Sequence, residues 1–295
     1  MRREIGCVVA PEDDGRRVKR VVRARLGVSH RQFTSLKQKN AVLLDGAPVH
    51  ADVTVRAGQR VSVLLDEDET GGAPASDGPV NVVYEDEDIL VVDKEAPLAC
   101  MSGLDQPGDS LEDRLTGRYG AGYVFRPVNR LDKGTSGLMA VAKHAHAQQL
   151  MQRALHTDAY VREYAALVEG RVEPAAGVID APIGKADGAT VRREVRPDGK
   201  SAVTRYETVA SGGGYTLLRV RLETGRTHQI RVHLASRGWP ITGDFLYGRE
   251  DARLPGRFAL HSAKLALAHP VTGERMTFES APPIVFYEMM GSGSI

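Results

Sequence analysis

One aspartate stands alone in a setting that favours a charge. In PVNRLDKGTSGL, residues 127–138, Asp132 lies between Arg130 and Lys133, and Gly134, Thr135 and Ser136 follow before a strand-like apolar stretch. A surface turn accounts for the glycine and serine, but not for a carboxylate flanked by cations. A second stretch, LETGRTHQIRVHLASRGWPITGD, is dense in donors: Arg226, Thr227, His228, Gln229, Arg231 and His233. With a helix beginning near Arg226, Thr227, Ile230 and Leu234 share the inward side. Arg231 sits beside that side, where a guanidinium can bond bidentately to a partly buried carboxylate. A solvated amphipathic helix is the plain alternative. A third stretch, VREYAALVEG, puts Tyr164 on a strand; a strand tyrosine ordinarily packs, though its hydroxyl can reach a polar partner.

Several chemistries fit these residues poorly. Glycoside hydrolysis needs two carboxylates about the scissile bond, and the Asp132 segment supplies one. His144 with His146, and His228 with His233, are close in sequence but lack the spacing of a helical two-histidine site, so no metal is expected. SGGGY has no following GK[ST] and reads as a hairpin turn rather than a phosphate cradle. Cys7 and Cys100 stand apart without CxxC spacing, which indicates reduced, unreactive thiols rather than a disulfide framework.

The elements that must carry these residues divide in two. The chain has 295 residues, 42% of them hydrophobic, enough for one large domain and a small one. Its longest apolar runs, such as AVLL and ILVV, are far shorter than the roughly 20 residues a bilayer crossing requires. The charged start lacks the apolar core of a secretory signal, so a cytoplasmic location is expected. The net charge of +1 hides an uneven distribution: Arg16 to Leu44 contains nine Lys or Arg and no Asp or Glu. Val18, Val21, Val22 and Leu26 recur at helical spacing, and Gly27 suits a helix stop. Ser29 with Gln32 forms a capping box for a second helix, with Val28 and Phe33 as its hydrophobic staple. Asp45-Gly46 signals a hairpin, and VTVRAGQRVSVLL offers two more strands about Ala57-Gly58.

DEDETGGAPASDGP, from Asp66, reads as a linker. Beyond it VNVVYEDEDILVVDK is two strands about an acidic turn, SLEDRLTGRY a short helix, and GLMAVAKHAHAQQLMQRAL a strand and a helix. YTLLRVRLETG alternates through Leu218, Val220 and Leu222, with Arg219 and Arg221 outward. No fixed-period helix-strand repeat appears. The pattern argues for an α+β domain with a mixed, largely antiparallel sheet. The expected boundaries are 1–66 for a small basic α/β module, 67–79 for the linker and 80–295 for the large domain.

The three chemical stretches together resemble the RluA-type pseudouridine synthase family. NRLDKGTSGL is similar to its catalytic aspartate segment, REYAALVEG to its tyrosine strand, and GRTHQIRVHLASRGWPITGD with LHSAKLALAHPVTGERMTFESAPP to its closing segments. LGVSHRQFTSLKQKNAVLLDGAPV, within residues 16–66, resembles the RNA-binding domain named after ribosomal small-subunit protein four. That likeness implies RNA contacts by Arg16, Arg17, Lys19, Arg20, Arg23, Arg31, Lys37 and Lys39; a merely solvated helix face is the alternative, weakened by the lack of acids between Arg16 and Leu44. The family commonly has His or Gly where Asn129 stands, often Asp where Gly134 stands, and a His-containing turn where this chain has LACMSG.

The resemblance implies the pseudouridine synthase fold and the isomerisation of uridine in RNA, which needs no cofactor and no metal. It makes Asp132 the essential carboxylate, acting as nucleophile at the anomeric carbon or as base at the neighbouring carbon. Arg231 pairs with it, and Tyr164 packs against the target uracil. Arg130 takes a place beside the flipped nucleotide, with Leu131, Thr135, Arg226, His228 and Gln229 as substrate contacts. Base flipping is implied, because the target is unreachable inside a stacked helix. Large-subunit ribosomal RNA is the favoured substrate and transfer RNA the alternative, with a monomer as the default. A catalytically silent RNA-binding or ribosome-assembly factor would not require Asp132, Tyr164 and Arg231 together, and a nucleoside hydrolase would not require the basic module.

Overall fold

The structure, a computed structural model, describes residues 2–66, 70–103, 109–155 and 157–291. The first part builds a four-stranded antiparallel sheet with two helices: β1 (Arg2–Val8), α1 (Val18–Arg25), α2 (His30–Gln38), β2 (Val42–Leu44), β3 (Ala47–Pro48) and β4 (Arg60–Asp66), in the order β1-β4-β2-β3. Val18, Val21 and Val22 of α1 are fully enclosed against Val61 and Val63 of β4. The Ser29–Gln32 capping box is present, with Gln32 N donating to Ser29 Oγ at 3.2 Å and Ser29 N to Gln32 Oε1 at 3.1 Å.

Two features depart from the sequence reading. The charged start is a strand, because its backbone pairs with β4 from Arg2 to Val8 whatever its side chains. Only the second arm of VTVRAGQRVSVLL is a strand. Val53 and Val55 instead bond the backbone entering α1, through Val18 N to Val53 O at 2.8 Å and Val55 N to Arg16 O at 2.9 Å.

The absence of acids between Arg16 and Leu44 does not leave every base there free. Arg16 and Arg25 share the buried Asp13 at 2.6 Å each, and Arg17 and Lys19 share Asp52 at 2.9 Å. Arg20, Arg23, Arg31 and Lys37 are exposed and have no acidic partner among the described residues.

The larger part contains β5 (Val82–Glu85), β6 (Ile89–Lys94), α3 (Leu111–Tyr119), β7 (Ser136–Ala142), α4 (Ala145–Ala154), β8 (Tyr160–Glu169), β9 (Ala176–Asp180), β10 (Ile183–Lys185), β11 (Arg193–Val195), β12 (Val203–Gly212), β13 (Tyr215–Leu222), α5 (Gln229–Ser236), β14 (Leu260–Ala268), β15 (Arg275–Glu279) and α6 (Ile284–Met289). Among the described residues nine strands form one sheet, ordered β5-β6-β7-β14-β8-β13-β12-β9, with β15 paired to β14. Every pairing is antiparallel except β7 with β14. The fold is α+β, with a mixed and largely antiparallel sheet. No helix among the described residues is long and apolar enough to cross a membrane.

Because the sheet is covered on both faces, its central strands read as continuous apolar runs. Leu90, Val92, Met139 and Val141 enter the core beneath α3, α5 and α6. Ile89, Val91, Leu138, Ala140 and Ala142 enter a second core with Ala147 and Met151 of α4. At β13, Leu218 and Val220 are buried while Arg219 and Arg221 are exposed, as the alternation predicts.

The stretch read as a spacer lies partly against the large domain: Gly71 N donates to Gly122 O at 3.0 Å, Ser76 N to Asp113 O at 3.0 Å, and Arg114 Nη1 to Pro79 O at 2.7 Å. Residues 67–69 fall outside the described ones. The two parts also touch directly. Arg3 forks onto Asp88 at 3.0 and 3.1 Å, and Gln149 Nε2 donates to Gly27 O at 3.3 Å. Asp88, Asp86 and His269 bring ligand atoms within 4.8 Å of one another. Arg3 and His144 occupy the Asp88 carboxylate, the latter at 2.8 Å, so the cluster is a compensated ion network at the contact between the parts.

Candidate active site

Asp132 sits on the loop that enters β7. Thr135 N closes a turn onto Asp132 O at 3.0 Å, and the loop is tied down on either side of it. Leu98 N donates to Lys133 O at 3.1 Å, and the buried Lys94 ammonium reaches Leu98 O at 2.7 Å and Lys133 O at 3.4 Å. On the other flank, Asn129 Oδ1 accepts from the Tyr160 hydroxyl at 2.8 Å. Two glycines are required where the loop meets the sheet. At Gly134 a Cβ would stand 2.6 Å from the Phe258 ring, and at Gly137 (φ +106°) it would stand 2.3 Å from Ser262 O, inside the parallel pairing of β7 with β14. The departures at Asn129 and Gly134 thus have local structural partners in this chain.

Arg231 comes from α5 and is almost fully buried. Its Nε and Nη2 hold the enclosed Asp244 at 2.7 and 2.8 Å, and its Nη1 reaches Asp132 Oδ2 at 3.0 Å. The guanidinium lies 4.2 Å from the Phe258 ring centroid and 5.0 Å from that of Tyr247. One cation therefore bridges two carboxylates, one enclosed and one with a side chain 29% exposed to the cleft. Asp244 and Tyr247 were not singled out in the sequence. Asp244 lies in the quoted PITGD segment, 13 residues after Arg231, but spacing alone does not reveal that pairing.

The helix starts at Gln229 rather than Arg226, because His228 takes a left-handed conformation (φ +59°) that interrupts it. Its Nδ1 is 2.9 Å from the Tyr247 hydroxyl, which accepts from Arg193 N at 2.9 Å. That pattern is satisfied when the hydroxyl gives its proton to Nδ1, leaving the imidazole proton on Nε2, 3.9 Å from Asp132 Oδ2. Burial pushes the His228 pKa down, which favours the neutral ring.

These groups converge on a cleft of about 390 Å³. Asp132, Tyr164 and Arg231 line it, as do Arg130, Leu131, Thr135, Arg226, His228 and Gln229, so the residues singled out from three distant stretches meet in one place. Within it Gln229 is committed to the framework. Its side chain accepts from Arg226 N at 2.9 Å and Thr224 Oγ1 at 2.8 Å, and donates to Val203 O and Thr204 Oγ1 at 3.0 Å. It braces the loop before α5. Tyr164 is buried, and that burial pushes its hydroxyl pKa up, which keeps it a protonated donor in neutral solution. Ala99, Cys100 and Met101, from the LACMSG segment, form part of the wall. Arg162, two residues before Tyr164, also lines the cleft and was not singled out.

Comparison with known proteins gives a consistent result. Residues 88–236 match the family model described as RNA pseudouridylate synthase. The chain is 35% identical over 263 residues to an uncharacterised RNA pseudouridine synthase of Bacillus subtilis, covering 88% of this chain and 93% of that one. It is 39% identical over 280 residues to the ribosomal large subunit pseudouridine synthase D of Vibrio cholerae, covering 87% and 86%. Among solved structures, human RNA pseudouridylate synthase domain containing 1 superposes with a TM-score of 0.57 at 26% identity, over 72% of this chain and 87% of that one.

Proposed function

Because this chain belongs to the RluA-type family of RNA pseudouridylate synthases, isomerases that act on uridine in RNA, we propose that Asp132 is its catalytic carboxylate and large-subunit ribosomal RNA its substrate. The observation that carries the first part is the 3.0 Å contact between Arg231 Nη1 and Asp132 Oδ2 at the cleft, with Arg231 itself fixed by Asp244. The reaction breaks the bond from ribose C1′ to uracil N1 and joins C1′ to C5. The proton on C5 is lost and N1 gains one, so the composition is unchanged. A charged carboxylate aimed by a rigid guanidinium can serve as nucleophile at C1′ or as base at C2′. Tyr164 packs on the uracil, and Arg130, exposed at the mouth, takes a place beside the flipped nucleotide.

The relatives named as ribosomal large subunit enzymes, in Vibrio cholerae and in Haemophilus influenzae, support ribosomal RNA over transfer RNA. The basic module supplies sequence-independent affinity through Arg20, Arg23, Arg31 and Lys37. In this reading the enzyme acts as a monomer in the cytoplasm.

Asp132→Asn keeps the shape of the side chain and removes its charge. The expected result is no pseudouridine formation with RNA binding and melting temperature retained; turnover by freshly purified variant would remove Asp132 from its role. Mapping pseudouridines in cells with and without the gene identifies the RNA. A wild-type protein that binds RNA yet releases no tritium from C5-labelled uridine in any cellular RNA would favour the silent-factor reading.

A further inference from the structure

We propose that Arg162 is an anion subsite of the cleft and receives the phosphodiester next to the flipped uridine; the identity of the anion rests on the pseudouridine synthase reading. Arg162 lies on β8 two residues before Tyr164, and strand periodicity turns both side chains to the same face. It is only 5% exposed, and it lines the cleft together with Asn129, Arg130 and Leu155. Among the described residues its guanidinium has no hydrogen-bond or ion-pair partner, and its Nε is enclosed with nothing to bond. Its one close neighbour of note is the Tyr160 ring, with the guanidinium carbon 5.9 Å from the centroid, and the Tyr160 hydroxyl is already given to Asn129.

Two other enclosed arginines are treated differently. Arg231 faces Asp244 and Asp132, and Arg114 faces Asp109 and Glu95. A buried, uncompensated guanidinium disfavours the folded chain unless a ligand brings the missing negative charge. The planar fork of arginine matches two oxygens of a phosphodiester. In an RNA threaded through this cleft, the phosphates are the anions at hand. Asp132, which Arg231 already holds, faces the sugar. Arg162 would thus fix the backbone of the target nucleotide while Asp132 addresses its sugar.

The probe is an unmodified large-subunit ribosomal RNA transcript, bound by full-length protein across a potassium chloride series. Arg162→Gln is expected to weaken binding about tenfold and to make the logarithmic salt slope shallower by about 0.7, the value for one lost phosphate contact on a single strand. Arg162→Lys keeps the slope and binds more weakly, having the charge without the fork. Arg162→Leu gives a second readout: its melting temperature without RNA rises, because an unpaired buried cation has gone, while its RNA affinity falls. A merely structural arginine would instead lower the melting temperature and leave the slope unchanged, and that pair of results overturns the proposal. If Arg162→Gln does not fold, Arg162→Leu and Arg162→Lys still decide between these outcomes. Pseudouridine formation is measured on the same wild-type preparation. An inactive wild type with altered slopes in the variants leaves the subsite standing and defeats the catalytic reading, whereas an active wild type with unaltered slopes does the reverse.

Discussion

Arg231 and Asp244 form a two-pronged pair, at 2.7 and 2.8 Å, in which the carboxylate is fully enclosed. The pair leaves only Nη1 of the guanidinium for Asp132. Asp244 also accepts from Leu246 N at 3.0 Å and Tyr247 N at 3.2 Å, so the clamp is continuous with the turn that follows it. The direction of the Asp132 carboxylate is thereby set by a residue that does not face the cleft.

Asp244→Asn tests this arrangement. It removes the charge that neutralises a buried guanidinium and turns one acceptor into a donor facing another donor. Breaking such a pair costs about 3 kcal/mol, and a misplaced guanidinium should lower the single-turnover rate on the order of 100-fold. RNA affinity should change little. Urea melts and single-turnover kinetics at saturating RNA measure both; a wild-type rate in a folded Asp244→Asn protein would show that Asp132 is oriented by other means.

Lys94 gives a pH dependence with a definite sign. Burial pushes its ammonium down to about 8, from an ordinary value of 10.5. Below pH 8 the group is protonated in both the folded and the unfolded chain, and its contribution is constant. Between pH 8 and 10.5 the unfolded chain holds the proton that the folded chain has released, so stability rises with pH. At about 1.4 kcal/mol per unit this rise amounts to about 3 kcal/mol. Lys94→Met lacks the group, and the wild-type minus variant difference in unfolding free energy should climb across that window. Parallel curves from pH 8 to 10.5 would refute the assignment to Lys94.

The chemistry was more legible in the sequence than the surroundings that aim it. Asp132 and Arg231 stood out because a lone carboxylate among cations and a helix dense in donors are local patterns, whereas Tyr164, a strand tyrosine that reads as packing, was marked only by the family resemblance. Their meeting in one cleft is a product of topology, since β7, β8 and α5 are brought together by a sheet whose order is not the chain order. Asp244 and Arg162 escaped notice for the same reason. One is defined by a partner and the other by the lack of one, and neither condition is written in sequence spacing. The strands at ILVV and LMAVA could be read from their apolar runs, though not their burial on both faces, whereas β1 could not be read at all, because its pairing with β4 is made by the backbone of a segment that begins with charged side chains. The basic stretch misled in part: its acids lie outside it, at Glu12, Asp13 and Asp52, close in space and not in the window.

That division among the bases yields a graded expectation for the N-terminal module. Deleting it would also remove Arg3 from the enclosed Asp88, a carboxylate that burial pushes up but hydrogen bonds from His144 and Arg3 hold well below its usual range. Substitutions on the intact chain are the cleaner test. Replacing Arg20, Arg23, Arg31 and Lys37 by glutamine removes four exposed cations that have no acidic partner among the described residues. If three of the four meet phosphates, the salt slope of RNA binding falls by about 2 units at about 0.7 per contact. Replacing Arg17 and Lys19 should change the slope less per charge, because Asp52 already faces both at 2.9 Å. In both cases the rate at saturating RNA should stay near that of the wild type while the Michaelis constant rises, since Asp132, Tyr164 and Arg231 are untouched. Isotherms for the two variants and the wild type on ribosomal RNA fragments decide the matter: equal slopes in all three would make the basic surface a solvated face with no part in holding RNA.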